Sequence, residues 1–200
     1  MPKSNQRRQA LKIFSTSALL VMIGAERTAH CESQPINLLE PAMNNPKELL
    51  KFTDISEMKG QSRAHLLNPE AIRISKSLGS ATGLTSLGFQ HMTVMPGREY
   101  AEYHRHLYEE QCFYILAGRG EAVIDEKAYI IESGDFLGFP KSGVAHTIKN
   151  TGDQPLVMLS ARVNLEQDVC DYPRKKKRLY MNGAQEALVD FQDIRIDAAS

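Results

Sequence analysis

Two imidazoles stand one residue apart in His104-Arg105-His106, in a chain with only six histidines. On an extended strand, residues i and i+2 project to the same face. Two neutral imidazoles aimed into one space are what a divalent transition metal takes up. A third, His146, lies on a separate β-type run farther along the chain. A single core histidine is ordinarily just hydrogen-bonded, so the closely spaced pair carries the inference. Tyr100 and Glu102 share the strand parity of His104. Glu102 is therefore a candidate catalytic base, or a rim residue in water, and Tyr100 is a candidate cap at the mouth of the same space.

The elements that must position these groups are short. From about residue 83 the texture changes to β-type runs separated by Gly, Pro, Asp and Asn: Thr85 to Met95, Ala101 to His106, Gln111 to Ala117, Gly120 to Asp125, Ala128 to Ile131, Phe136 to Phe139, Ala145 to Asn150 and Pro155 to Val163. Many short strands with regular turn signals predict an all-β sandwich or barrel. Ile124 to Tyr129 reads as a hairpin and Asn150 to Pro155 as a turn. Phe113, Ile115, Phe136 and Ile148 are expected in the core. Residues 32–82 read as an N-terminal arm, with Pro35, Pro41 and Pro46 and one helical turn at Pro46 to Phe52. Residues 83–163 are the expected barrel and 164–200 a polar C-terminal extension. There is no internal repeat.

Gly97, His104, His106, Gln111 and Gly118 stand as G-x6-H-x-H-x4-Q-x6-G, and Gly134, Pro140, Gly143, His146 and Asn150 as G-x5-P-x2-G-x2-H-x3-N. These resemble the paired motifs of the cupin superfamily, and the short stretch between them is similar to that of compact single-domain bacterial cupins. The resemblance implies a small antiparallel jelly-roll barrel. It also implies one divalent metal, Mn, Fe, Ni or Zn, held by His104, His106, His146 and the carboxylate position of the first motif. Counting back from Gly118, that position falls on Gln111, not on a glutamate. Alternation agrees, placing Gln111, Phe113 and Ile115 on one face. A β-bulge near Glu109 and Glu110 would instead turn Glu110 inward. A carboxamide in place of a carboxylate leaves the full dipositive charge on the metal, giving a stronger Lewis acid and a weaker metal trap. The other reading is a barrel without metal, in which Gln111 only hydrogen-bonds.

The superfamily's chemistry is broad. The expected function is a mononuclear metalloenzyme acting on a small oxygen-rich organic molecule, by dioxygenase-like, isomerase or lyase chemistry. The alternative is a non-catalytic barrel that binds a sugar-like ligand, with or without metal. Composition removes other classes. Lys plus Arg equals Asp plus Glu at 24 each, so no global basic excess favours nucleic acid. Three cysteines and no CxxC do not make a disulfide scaffold or a zinc knuckle. The basic run Arg174 to Arg178 reads as a solvated turn, and Cys112 with Cys170 is not indicated as a disulfide. No apolar run reaches the roughly 20 residues that span a bilayer.

Lys3, Arg7, Arg8 and Lys12 precede the apolar run Ile13 to Ala25, and the first carboxylate is Glu26. That order is the layout of a secretory signal. The text Gln6-Arg7-Arg8-Gln9-Ala10-Leu11-Lys12 resembles a twin-arginine signal. Residues 1–31 are thus expected to direct export to a bacterial periplasm, with cleavage after Cys31 and no stable membrane insertion. Short arms of this kind often pair with a neighbouring barrel, so a homodimer is expected.

Overall fold

Alternation of apolar and polar side chains commits most of this chain to extended structure, because a two-residue period can bury one face of a sheet and wet the other. The computed structural model describes residues 46–195 and 197. These lie within one unit running from Met43 to Ser200. The export signal and its cleavage after Cys31 fall outside the described residues. Among the described residues no helix is long and apolar enough to cross a membrane.

The strands in chain order are β1 (Gln61–His65), β2 (Asn68–Ser77), β3 (Leu87–Val94), β4 (Arg105–His106), β5 (Gln111–Ala117), β6 (Arg119–Ile124), β7 (Lys127–Glu132), β8 (Phe136–Phe139), β9 (His146–Lys149), β10 (Leu156–Val163), β11 (Gln167–Tyr172), β12 (Lys177–Asn182) and β13 (Gln185–Asp190). Two short helices, α1 (Phe52–Glu57) and α2 (Leu78–Thr82), complete the regular structure with two 3-10 turns. A six-stranded sheet has the order β1-β2-β3-β10-β5-β8, a four-stranded sheet β13-β12-β11-β4, and a three-stranded sheet β7-β6-β9. Each strand pairing within these sheets is antiparallel. The fold is the all-β jelly-roll expected from sequence.

The core lies between the inner faces of the sheets. On β10, Leu156, Met158 and Ser160 are buried; on β5, Gln111, Phe113 and Ile115 are buried while Tyr114 and Leu116 are exposed. These faces are in register: Met158 opposes Met92 on one side and Ile115 on the other, and Ser160 opposes Gln90 and Phe113. Ile148 of β9 and Ala122 of β6 close the core from the three-stranded sheet. Phe136, expected inside, is 65% exposed. It opposes Tyr114 across β5–β8 and shares that residue's outward parity, so Leu137 and Phe139 take the inner face instead.

Several boundaries differ from the sequence reading. Residues 61–77 of the expected arm form β1 and β2, which extend the main sheet through β3. The helical turn expected at Pro46 to Phe52 occurs one turn later, as α1. The expected strand Ala101 to His106 contracts to β4 and a single bridge at His104, paired with His146. The C-terminal extension is folded: β11 pairs with β4, and β12 and β13 continue that sheet. The basic run is largely neutralised there, through Arg174–Glu126, Lys175–Glu102, Lys177–Asp190 and Arg178–Asp171. The expected hairpin is β6–β7, turning on Asp125 and Glu126 with φ of 50° and 61°, the backbone of a two-residue type I′ turn. Cys112 and Cys170 are both free.

Gly118 joins β5 to β6 at φ +85°, and a Cβ there would stand 2.5 Å from the Pro155 carbonyl oxygen and 2.9 Å from Leu156 Cα. Both obstacles are backbone, so neither yields cheaply. Gly118→Ala is expected to lose roughly 2–4 kcal/mol in urea unfolding. Gly97→Ala has φ +77° but open space around it, and is expected to lose only about 1 kcal/mol. Equal losses at the two sites would show that collision at Gly118 contributes nothing.

Candidate metal centre

The three histidines come from two segments of the chain, His104 and His106 from one and His146 from β9. His104 and His146 exchange backbone hydrogen bonds: the His104 N–H donates to the His146 carbonyl at 3.0 Å, and the His146 N–H returns one at 2.8 Å. Their ring centroids are 4.8 Å apart, and the His106 ring lies 5.0 Å from that of His104. Phe139 stacks flat on His146, with centroids 3.4 Å apart.

Hydrogen bonds orient the rings. His104 Nδ1 donates to the Glu102 carbonyl at 2.7 Å, His106 Nδ1 to Asp168 Oδ2 at 2.5 Å, and His146 Nδ1 makes a long contact of 3.4 Å to the Val144 carbonyl. A carbonyl only accepts, so Nδ1 carries the proton and the Nε2 lone pair is left for the interior. Burial opposes the charge on Asp168, but hydrogen bonds from His106 and from backbone N–H groups outweigh it and hold its pKa below the ordinary carboxylate value.

Burial lowers the pKa of His104 well below the usual imidazole value, and the neighbouring His146 and His106 add to the effect. Burial brings His146 down to about 4. Both rings are therefore neutral at neutral pH, the form a metal ligand needs. Because the folded pKa lies below the unfolded one, the unfolded chain binds protons first as pH falls. Stability is thus complete above about 6.5 and declines as pH drops toward 4. For metal-free protein the contribution of His146 over that window is on the order of 3 kcal/mol. His146→Gln is expected to flatten the fall of the thermal midpoint between pH 6.5 and 4; an unchanged slope would remove His146 as its source.

Gln111 turns inward and is buried, whereas Glu110 is exposed. The Gln111 amide spans the imidazoles, with Nε2 2.8 Å from His146 Nε2 and 3.4 Å from His104 Nε2. Its Oε1 accepts from the Tyr100 hydroxyl at 3.3 Å. Tyr100 is not a cap at an open mouth: it is buried, with its ring edge-on to Phe113 at 4.9 Å. Glu102 does not present its carboxylate to the imidazoles. Its carbonyl serves His104, and its side chain pairs with Lys175 Nζ at 3.5 Å.

The carboxylate beside the histidines is Glu109, which the sequence reading passed over. It is 5% exposed; Oε2 accepts from Arg162 Nη1 at 3.2 Å, while Oε1 has no hydrogen-bond partner and stands 3.8 Å from His106 Nε2. Burial raises its pKa. Asp168 sets this geometry, because its Oδ1 accepts from the backbone N–H groups of both Tyr108 and Glu109, at 3.1 and 3.2 Å. No strand parity pointed to it, because Glu109 precedes β5 in a connecting segment. Among the described residues, His106, Glu109 and Asp168 form a group whose ligand atoms lie within 4.8 Å of one another. An orphaned carboxylate oxygen beside clustered imidazole nitrogens is a donor set that suits a divalent metal ion. Rotation of the Gln111 amide would present its oxygen to the same space, and the Tyr100 hydroxyl, both donor and acceptor, would keep a partner.

An antiparallel jelly-roll with imidazoles gathered from two segments defines a class of barrel proteins. Residues 90–162 match the model of the cupin domain. The chain is 46% identical to a candidate sugar phosphate isomerase of Acidithiobacillus ferrooxidans, over 76% of this chain and 98% of that one, with a TM-score of 0.76. It is 33% identical over 115 residues to the oxalate-binding protein of Thermotoga maritima, covering 56% of this chain and 85% of the relative. It matches 48% of the length of an uncharacterized protein of Methanocaldococcus jannaschii at 33% identity. The chain belongs to the cupin family, whose members commonly bind a metal.

Proposed function

We propose that this protein is a mononuclear metal-dependent enzyme acting on a small oxygen-rich organic molecule, with isomerase chemistry as the leading class. The observation that carries the metal is Glu109 Oε1, buried, unpartnered and facing His106 Nε2. His104, His106, His146 and Glu109 would hold the ion, with Gln111 beside them. Bound there, a divalent metal supplies Lewis-acid polarisation of substrate oxygens. The chain's own residues orient and insulate. Asp168 and the Glu102 carbonyl fix two rings, Arg162 steadies Glu109, and Tyr100, edge-on to Phe113, holds the Gln111 amide through its hydroxyl. Glu102 is a positioning residue in this reading, acting on His104 through its backbone.

The isomerase class rests on the Acidithiobacillus relative. A second reading, binding without turnover, is favoured by the oxalate-binding relative. Elemental analysis of untagged protein, followed by aldose–ketose interconversion and O2-uptake assays over a panel of sugars, sugar phosphates and organic acids, separates them. Stoichiometric metal with interconversion is the expected result. Stoichiometric metal with O2 uptake moves the class to dioxygenase, and ligand binding without turnover establishes the second reading.

Residues 1–31 would direct export to the periplasm, and two barrels would associate as a homodimer. Fractionation of cells and light scattering of the purified protein test these two statements separately.

A further inference from the structure

The inner face of the six-stranded sheet carries a second feature, outside the imidazole cluster. A cavity of about 490 Å3 opens over β1, β2, β3 and β10, and its lining includes Lys59, Arg63, Arg73 and Arg162 but no Asp or Glu. The whole chain is balanced at 24 basic and 24 acidic residues, so this is a local segregation of charge. Arg63 and Arg73 are directly opposed across the β1–β2 ladder, and like charges so placed repel. Among the described residues neither makes an ion pair. Arg63 Nη2 donates to Gln61 Oε1 at 3.3 Å, and Arg73 Nη1 donates to the Tyr100 carbonyl at 3.0 Å. Two opposed guanidinium groups without an acid are relieved by an oxyanion between them, and their forked donors match phosphate or carboxylate oxygens.

The rest of the lining is neutral and hydrogen-bonding, with Ser75, Gln90 and Ser160 on adjacent strands. Tyr100 forms part of the wall, and its hydroxyl bonds Gln111, which in turn meets His104 and His146. Arg162 lines the cavity and also holds Glu109. Through Tyr100 and Arg162 the wall of this cationic cavity adjoins the candidate metal centre, although His104, His106, His146 and Glu109 do not line it. Its volume lies within the roughly 300–1,000 Å3 typical of small-molecule sites.

We infer that this cavity is an anion subsite: it takes a small hydroxylated molecule bearing a phosphate or carboxylate group, with the oxyanion at Arg63 and Arg73 and the hydroxyl-bearing part toward Tyr100. The direction of the ligand rests on the function proposed above; the binding of the anion does not.

Isothermal titration calorimetry of the full chain at low salt tests it, with inorganic phosphate and oxalate as separate probes. Both metal-loaded and chelator-treated protein are titrated. At least one probe is expected to bind the chelator-treated protein saturably, and the tighter of the two assigns the anion as phosphate or carboxylate. Arg63→Gln is expected to weaken that binding about tenfold or more, with unchanged metal content and a thermal midpoint equal or higher, because Arg63 is exposed and loss of its charge relieves the repulsion with Arg73. Arg63→Lys should recover part of the loss. The subsite is overturned if neither probe binds chelator-treated protein, or if Arg63→Gln and Arg73→Gln both keep the wild-type Kd. Anion binding by a protein that purifies and reconstitutes without metal would uphold the subsite and sink the metal reading. Stoichiometric metal without anion binding would do the reverse.

Discussion

His104→Ala and His146→Ala are each expected to purify with only a small fraction of the metal bound by the unaltered protein, while keeping the fold. Groups that merely orient a metal-bound histidine are worth about 10–100-fold in affinity, so removing a ligand itself should exceed that. Both rings are buried, and their Nδ1 atoms face backbone carbonyls, which leaves Nε2 to the interior. The core does not depend on them. Met92, Val94, Phe113, Ile115, Ile148, Leu156 and Met158 pack without either imidazole. Circular dichroism should therefore be unchanged, although loss of the stacked ring on Phe139 will lower stability by roughly 1–3 kcal/mol. Full metal occupancy in either variant would remove that histidine from the ligand set.

The second large effect is expected at Glu109. Glu109→Gln replaces the orphaned carboxylate oxygen by an amide and should lower metal affinity by more than about a hundredfold, whereas Glu110→Gln, at an exposed side chain, should change nothing. Asp168→Asn acts one step removed, through His106 Nδ1 and through the loop that aims Glu109, and is expected to cost about 10–100-fold. In metal-free protein the sign at Glu109 reverses. Burial raises its pKa, so the ionised form is a liability near neutral pH, and Glu109→Gln should leave the thermal midpoint equal or higher. Gln111→Glu should tighten metal binding, because it adds a charged oxygen next to His104 and His146. Equal losses from Glu109→Gln and Glu110→Gln would mean that a bulge carries Glu110 inward in the metal-bound state.

The sequence by itself determined the class of fold and which histidines were candidates. Period-two alternation over β3, β5, β6 and β10 is a local property, and it decides which face of each strand is apolar. The spacing of His104 and His106 is equally local, and Gln111 with Phe113 and Ile115 obeyed the same alternation. At Phe136, expected in the core, the register of β8 against β5 decided the face instead.

Tertiary structure alone decided the rest. Glu109 lies between β4 and β5, where no strand imposes a parity. Its direction is set by hydrogen bonds to Asp168, far away in the chain and in a segment that reads as a polar extension. Arg63 and Arg73 likewise sit in what reads as an arm, and only the pairing of β1 with β2 and of β2 with β3 places them on the inner face beside Ser160 and Tyr100. A local pattern specifies what a residue can do; the long-range pairing of strands, paid for by the whole core, specifies what it faces.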